Sequence, residues 1–298
     1  MIGPLSLSNL TVAVTGSRRA QELAHIIRSF GGIPYIAPTI GIEIPESSAE
    51  QGKQFIVKII RERPDYVVFM TGPGVYSLFD IAKRSGIQES LTNALHNTTI
   101  VCRSEKPKMA LSHFKLRSHL VPKDENTAKG VLRLLQKQDL LHKKIAIFWH
   151  GSYSQELRDE LQRDGATVFE SSTYTYSGKL DSAGALILEK MGFKYDSPNE
   201  AVVIELIEKI NKGSVDAITF TSPPSAQELL RIATSHNLEA SLRKDLNARV
   251  IVTVIGPSTR SVLEKNGVFV DVMPETYKMG SMVKSLSDFV NHHRLQKL

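Results

Sequence analysis

The chain carries one structural plan twice, with the second copy circularly shifted against the first. Ala20-Gln21-Glu22-Leu23 recurs as Ser154-Gln155-Glu156-Leu157, an offset of 134 residues. Each copy follows an apolar run and precedes a helix pattern that a glycine stops, Gly31 or Gly165. Residues 65–71 with Pro73 recur as 216–222 with Pro224, at an offset of 151, and residues 100–111 recur as 252–263, at 152. Identities are few, and what repeats is the order of strand, turn and helix signals. The first strand–helix–strand therefore has no partner nearby in sequence, and its natural completion is the C-terminal half. The expected division is residues 1–38 plus 178–298 as one discontinuous domain and 46–170 as an inserted one. Residues 39–45 and 171–177 are then two linker strands.

The elements follow from periodicity. Residues 10–15 (LTVAVT) form a short β-rich run. Leu23, Ile26, Ile27 and Phe30 follow at i, i+3, i+4, i+7, one apolar helix face, and residues 33–37 give a second strand. Strand–loop–helix–strand is the grammar of a parallel sheet with covering helices. Residues 65–70, 98–102, 144–149, 216–221 and 249–254 read as further strands, with shorter ones at 117–122 and 268–273. Residues 107–113 read as a helix, and 177–198 as an irregular connection with at most one helical turn. Residues 169–176 (FESSTYTY) alternate like one continuous strand, placing Tyr174 towards a cleft; the plainer reading is an ordinary strand tyrosine. The fold class is α/β: two doubly wound parallel-sheet domains of similar plan joined by a two-stranded β linker.

Composition narrows the function. Apolar residues make up 41% and charged residues 23%, enough for real cores in a soluble protein. Cys102 is the only cysteine, so neither an internal disulfide nor a cysteine-based zinc site can form, and a reducing, cytoplasmic location is expected. The first ten residues lack the basic start and apolar core of a secretory signal, and no apolar run approaches a membrane span. The net charge of +6 admits an anionic partner. Arg103, Lys106, Lys108, Lys115, Arg117 and Lys123 gather with only Glu105 opposing them. No aromatic stacking pattern accompanies the cluster, so a solvated basic face or a small-anion site is expected rather than nucleic-acid binding.

In doubly wound sheets, ligands sit beyond the carboxyl ends of the strands, where loops enter helix N-termini. Here those loops are residues 16–19, 71–74, 103–106, 150–152, 222–225 and 256–259, all small and polar. Backbone N–H groups at helix starts hold anions and hydroxyls add donors, although Ser or Thr before a helix is ordinarily only a cap. Sequence signatures for other chemistries are missing. There is no GxGxxG after the first strand, no GxxxxGK[ST] and no GxSxG, and the nine histidines show no ligand spacing. Trp149 reads as core, and His150 as a capping or surface imidazole that could donate to an anion.

The ordered set of residues 12–19 (VAVTGSRR), 69–75 (FMTGPGV), 101–106 (VCRSEK), 148–151 (FWHG), Thr173-Tyr174, 218–223 (ITFTSP), 254–259 (VIGPST) and 280–286 (GSMVKSL) resembles the uroporphyrinogen-III synthase family over nearly the whole chain. The resemblance implies closure of hydroxymethylbilane, a linear tetrapyrrole with eight carboxylates, to uroporphyrinogen III with inversion of ring D. It implies a monomer that uses no cofactor or metal. The family's linker tyrosine falls on Tyr174, as proton donor or orienter of the leaving hydroxyl. The Ser of its Thr-Ser-Pro turn falls on Ser222, and the Thr of its Gly-Pro-x-Thr turn on Thr259, with Gly256 and Ser258 beside it. Ser17, Arg18, Thr71, Gly72, Arg103, Lys106, His150 and Gly151 complete the expected substrate contacts. Two departures stand out: Met70-Thr71-Gly72 replaces a Thr-Ser turn, and Ser104-Glu105 replaces a Gly-Pro, putting an acid in an anion loop. The acid motivates a second reading, a non-catalytic cleft protein of the same fold that binds a tetrapyrrole or another polyanion.

Overall fold

The computed structural model describes residues 6–123, 125–149, 153–180, 182–190, 192 and 194–295. The chain opens with β1 (Thr11–Val14), α1 (Ala20–Ser29), β2 (Ile33–Ile36) and β3 (Gly41–Glu43). It continues through α2 (Glu46–Glu62), β4 (Tyr66–Phe69), α3 (Gly72–Arg84), α4 (Gln88–His96), β5 (Thr99–Cys102), α5 (Glu105–Ser112) and α6 (Ala128–Leu135). Next come β6 (Lys144–Trp149), α7 (Gln155–Arg163), β7 (Thr167–Ser172), β8 (Thr175–Ser177) and α8 (Ser182–Lys190). The last elements are α9 (Glu200–Asn211), β9 (Ala217–Phe220), α10 (Pro223–Ser235), α11 (Glu239–Ala248), β10 (Ile251–Val254), α12 (Pro257–Lys265) and α13 (Met279–Leu295).

The chain divides into two units. One comprises residues 1–41, 176–180 and 193–298; the other comprises 42–175 and 181–192. The first unit has a parallel sheet in the order β10-β9-β1-β2, and the second a parallel sheet in the order β5-β4-β6-β7. These are one topology entered at different points, as the shifted repeat requires. Strands β3 and β8 form a separate two-stranded sheet, the expected linker.

Each sheet is buried on both faces, which is why its strands read as continuous apolar runs. In the first unit, Leu229, Ala233, Leu206 and Leu246 pack with Ile218 and Val252 on one face. Leu23, Ile27, Met282 and Leu286 pack with Val12 and Val14 on the other. In the second unit, Phe55, Phe79 and Leu91 cover Val67 and Phe148, while Val131 and Leu157 cover Val68 and Ile147. A fully buried Leu or Ile contributes about 1.5–3 kcal/mol, so these four faces dominate the favourable side of folding. Trp149 is core, as expected, with its indole N–H donating to Glu170 at 2.8 Å. Gly31 and Gly165 adopt left-handed backbone, φ 86° and 90°, and end α1 and α7 at repeat-related positions.

The repeat extends to single hydrogen bonds. Asp216 accepts the Thr11 N–H at 2.7 Å, and Asp65 accepts the Lys144 N–H at 2.9 Å, so the same carboxylate joins the same two strands in both units. Burial pushes the Asp65 carboxyl up, but the Lys144 N–H and the Lys143 ammonium outweigh it and the net shift is downward. A depressed carboxyl stabilises the fold above its unfolded pKa, and that stability is lost as pH falls through the folded one. Asp65→Asn is therefore expected to lose less stability than the parent between about pH 5 and pH 3, in urea titrations at each pH.

Five expectations need correction. Residues 117–122 and 268–273 are not strands; each touches its sheet through a single bridge, Leu120 to Val101 and Val272 to Thr253. Side chains take the ladder positions instead. His119 Nδ1 accepts the Ile100 N–H at 2.9 Å, and Asp271 accepts the Val252 N–H at 2.7 Å. Residues 182–190, expected in an irregular connection belonging with the C-terminal half, form α8, which packs on α3 with Ile187 in the second unit's core. Helix α5 starts at Glu105 rather than Pro107, because proline is tolerated in a first turn. The crossing at 169–176 is not one strand: β7 ends at Ser172, β8 begins at Thr175, and Thr173-Tyr174 lie in the break.

Candidate functional site

In each sheet the chain winds outward in both directions from one pair of central strands, β1 and β9 in the first unit and β4 and β6 in the second. The gap between their carboxyl ends is the topological switch point, where doubly wound folds bind ligands.

In the first unit, that point is built from the loop after β1 and the start of α10. Ser17 is buried, and its carbonyl accepts the Asp196 N–H at 2.9 Å. Arg18 bridges to Tyr195, and Arg19, in left-handed backbone at φ 57°, donates its N–H to Lys194 O at 2.9 Å. Residues 194–196 thus hold the loop down from outside. Gly16 lies so close to the neighbouring loop that a Cβ there would sit 2.5 Å from Thr221 Oγ1. Ser222 caps α10, accepting the Ser225 N–H at 3.4 Å, with Pro223 and Pro224 in the first turn. One strand over, Gly256 precedes α12. Pro257 opens the helix without an N–H, Ser258 is exposed and Thr259 is buried. The Tyr277 ring lies against Gly256 and is 58% exposed.

In the second unit, Thr71 and Gly72 open α3. Thr71 Oγ1 accepts the Gly74 N–H at 3.1 Å, and the Tyr174 hydroxyl lies 2.7 Å from the same oxygen. The Tyr174 ring is 1% exposed, so the linker tyrosine is anchored in the wall of this unit and presents its hydroxyl at a helix start. Arg103 follows β5 beside this corner, its N–H donating to Phe69 O at 3.0 Å. Lys106 is exposed in the first turn of α5. The unexpected acid, Glu105, heads the same turn and pairs with Lys108 at 3.1 Å. Being an acid in a first turn, it complements the helix dipole. His150 and Gly151 lie outside the described residues. Burial pushes the Cys102 thiol up to about 12, so it is no nucleophile at neutral pH.

The expected residues thus fall into two groups, Ser17, Arg18, Ser222, Gly256, Ser258 and Thr259 in one unit and Thr71, Gly72, Arg103, Lys106 and Tyr174 in the other. The direct pairing of Thr71 with Tyr174 was not predicted. Neither was the clamp at 194–196, which falls in the stretch with the weakest periodicity. Among the described residues no group of His, Cys, Asp and Glu could hold a metal ion, and no helix is long and apolar enough to cross a membrane.

Fold and site define a class: two circularly shifted α/β units of one plan, each with capped helix starts at its switch point, joined by paired strands. Comparison with known proteins gives the family. The family described as Uroporphyrinogen-III synthase HemD matches residues 21–284. A putative uroporphyrinogen-III synthase of Methanothermobacter thermautotrophicus is 28% identical over 269 residues, 90% of this chain and 94% of that protein. An uncharacterized protein of Bacillus subtilis, YjjA, is 26% identical over 279 residues, 93% of this chain and 95% of that one. The crystal structure of a mutant uroporphyrinogen III synthase from the extremely thermophilic bacterium Thermus thermophilus matches in fold with a TM-score of 0.66 at 22% identity, over 95% of this chain and 99% of that chain. The chain belongs to the uroporphyrinogen-III synthase family.

Proposed function

We propose that this protein is a uroporphyrinogen-III synthase, closing hydroxymethylbilane to uroporphyrinogen III with inversion of ring D and loss of water. The supporting observation is the Tyr174 hydroxyl, held 2.7 Å from Thr71 Oγ1 at the start of α3. Thr71 accepts the Gly74 N–H, and in the proposed mechanism its own proton goes to the Tyr174 oxygen. The phenol is polarised and keeps its own proton for the hydroxyl leaving ring A. Water departs and a cationic azafulvene forms. Ring D attacks through its substituted carbon, the spiro intermediate fragments and recloses, and loss of the last ring proton restores the tyrosine.

The other residues bind and orient. Each unit supplies its own group of contacts to the substrate. Carboxylates are taken by the helix starts at Gly72, Ser222 and Gly256–Thr259, with Ser17, Arg18, Arg103, Lys106, His150 and Gly151 adding donors. Holding the bilane folded is the larger part of the task, since the uncatalysed closure gives the type I isomer. The test is a coupled assay in which hydroxymethylbilane is generated in situ and the oxidised uroporphyrin isomers are separated. A dominant type III product is expected. Type I alone, with protein present, would overturn the proposal.

A further inference from the structure

Two threonines that the repeat places in correspondence stand where the chain leaves each unit, Thr39 after β2 and Thr173 after β7, at the same offset of 134 residues that relates the first strands of the units. Both are fully buried. Thr39 Oγ1 donates to Ser225 O at 2.9 Å, with Thr15 O as a second acceptor at 3.3 Å. Thr173 Oγ1 lies 2.5 Å from Ser77 Oγ, and Ser77 Oγ donates to Gly74 O at 3.0 Å. The acceptors correspond as well: Ser225 and Gly74 are each the third residue of the helix at their unit's switch point, and the caps of those helices are Ser222 and Thr71. In both units the departing strand is therefore fastened, through a hydroxyl, to the first turn of the helix that carries the site.

Packing alone does not call for these hydroxyls. Valine has the same shape, and Ser225 O and Gly74 O already lie in helices whose own N–H groups reach them. The bonds instead fix where a helix start lies relative to the crossing strand. We propose that Thr39 and Thr173 are a matched pair of positioning residues, which hold the α10 and α3 starts to the linker strands so that bound carboxylates, and in the second unit the adjacent Tyr174, keep their place during ring inversion. The inference rests on the synthase reading. Loosening a clasp misplaces the substrate by a fraction of an ångström without removing any group that touches it.

The experiment compares Thr39→Val and Thr173→Val with Thr39→Ser and Thr173→Ser in the full chain, with folding checked by circular dichroism. The Val variants are expected to form type III about tenfold more slowly and to release a larger share of type I, whereas the Ser variants return to the parent values. Ser77→Ala breaks the second relay without altering the crossing and should reproduce Thr173→Val. Parent-like rates and isomer shares in the Val and Ser77→Ala variants would overturn the proposal. So would Ser variants as impaired as the Val ones. If the parent protein itself forms no type III, the synthase reading fails. Amide exchange then decides the clasps: exchange at residues 37–43 and 172–177 about tenfold faster in the Val than in the Ser variants upholds them, and equal rates refute them.

Discussion

Tyr174→Phe is expected to lower kcat for type III formation by about a hundredfold, as loss of a proton donor does, while costing only about 1 kcal/mol of stability. The two effects separate because the ring stays buried and Thr71 keeps its bond from the Gly74 N–H. Thr71→Val removes the group that polarises the phenol, so the two substitutions should be non-additive in a double-mutant cycle. The measurements are kcat in the coupled assay and unfolding in urea. A stability loss with unchanged kcat would make the 2.7 Å bond a structural one only.

Gly41→Ala is expected to cost about 3 kcal/mol, the upper range for overpacking. An added Cβ would lie 2.0 Å from Lys179 O and 2.9 Å from Leu180 Cβ, and a backbone oxygen cannot rotate out of the way. Ile40 and Ile42, on either side, are buried, so the strand cannot shift outward without exposing them. The expected consequence is displacement of β3 from β8. Urea unfolding reads the loss directly, and a midpoint equal to that of the parent would contradict it.

Much of the architecture was legible because two independent signals agreed. Apolar runs marked the strands, and the shifted repeat assigned them to two sheets of one topology. The repeat also held what was not read from it. Extended by a few residues, it pairs Thr39 with Thr173 and β3 with β8, and so points to the clasps. Other features escaped for physical reasons. The segments around His119 and Asp271 have strand-like composition, yet a side chain in each takes the N–H that a further strand would have used. Glycine and proline around α8 masked a short helix whose apolar residues serve the other unit. The Thr71–Tyr174 pairing spans 103 residues and follows no period, so only the folded chain reveals it.

The measurement closest to the central claim is the share of type III isomer as protein is titrated into a fixed supply of hydroxymethylbilane. The share should climb from near zero to dominance as the protein outpaces spontaneous closure. A share that stays at the uncatalysed level at every protein concentration would contradict the synthase assignment and leave only the fold.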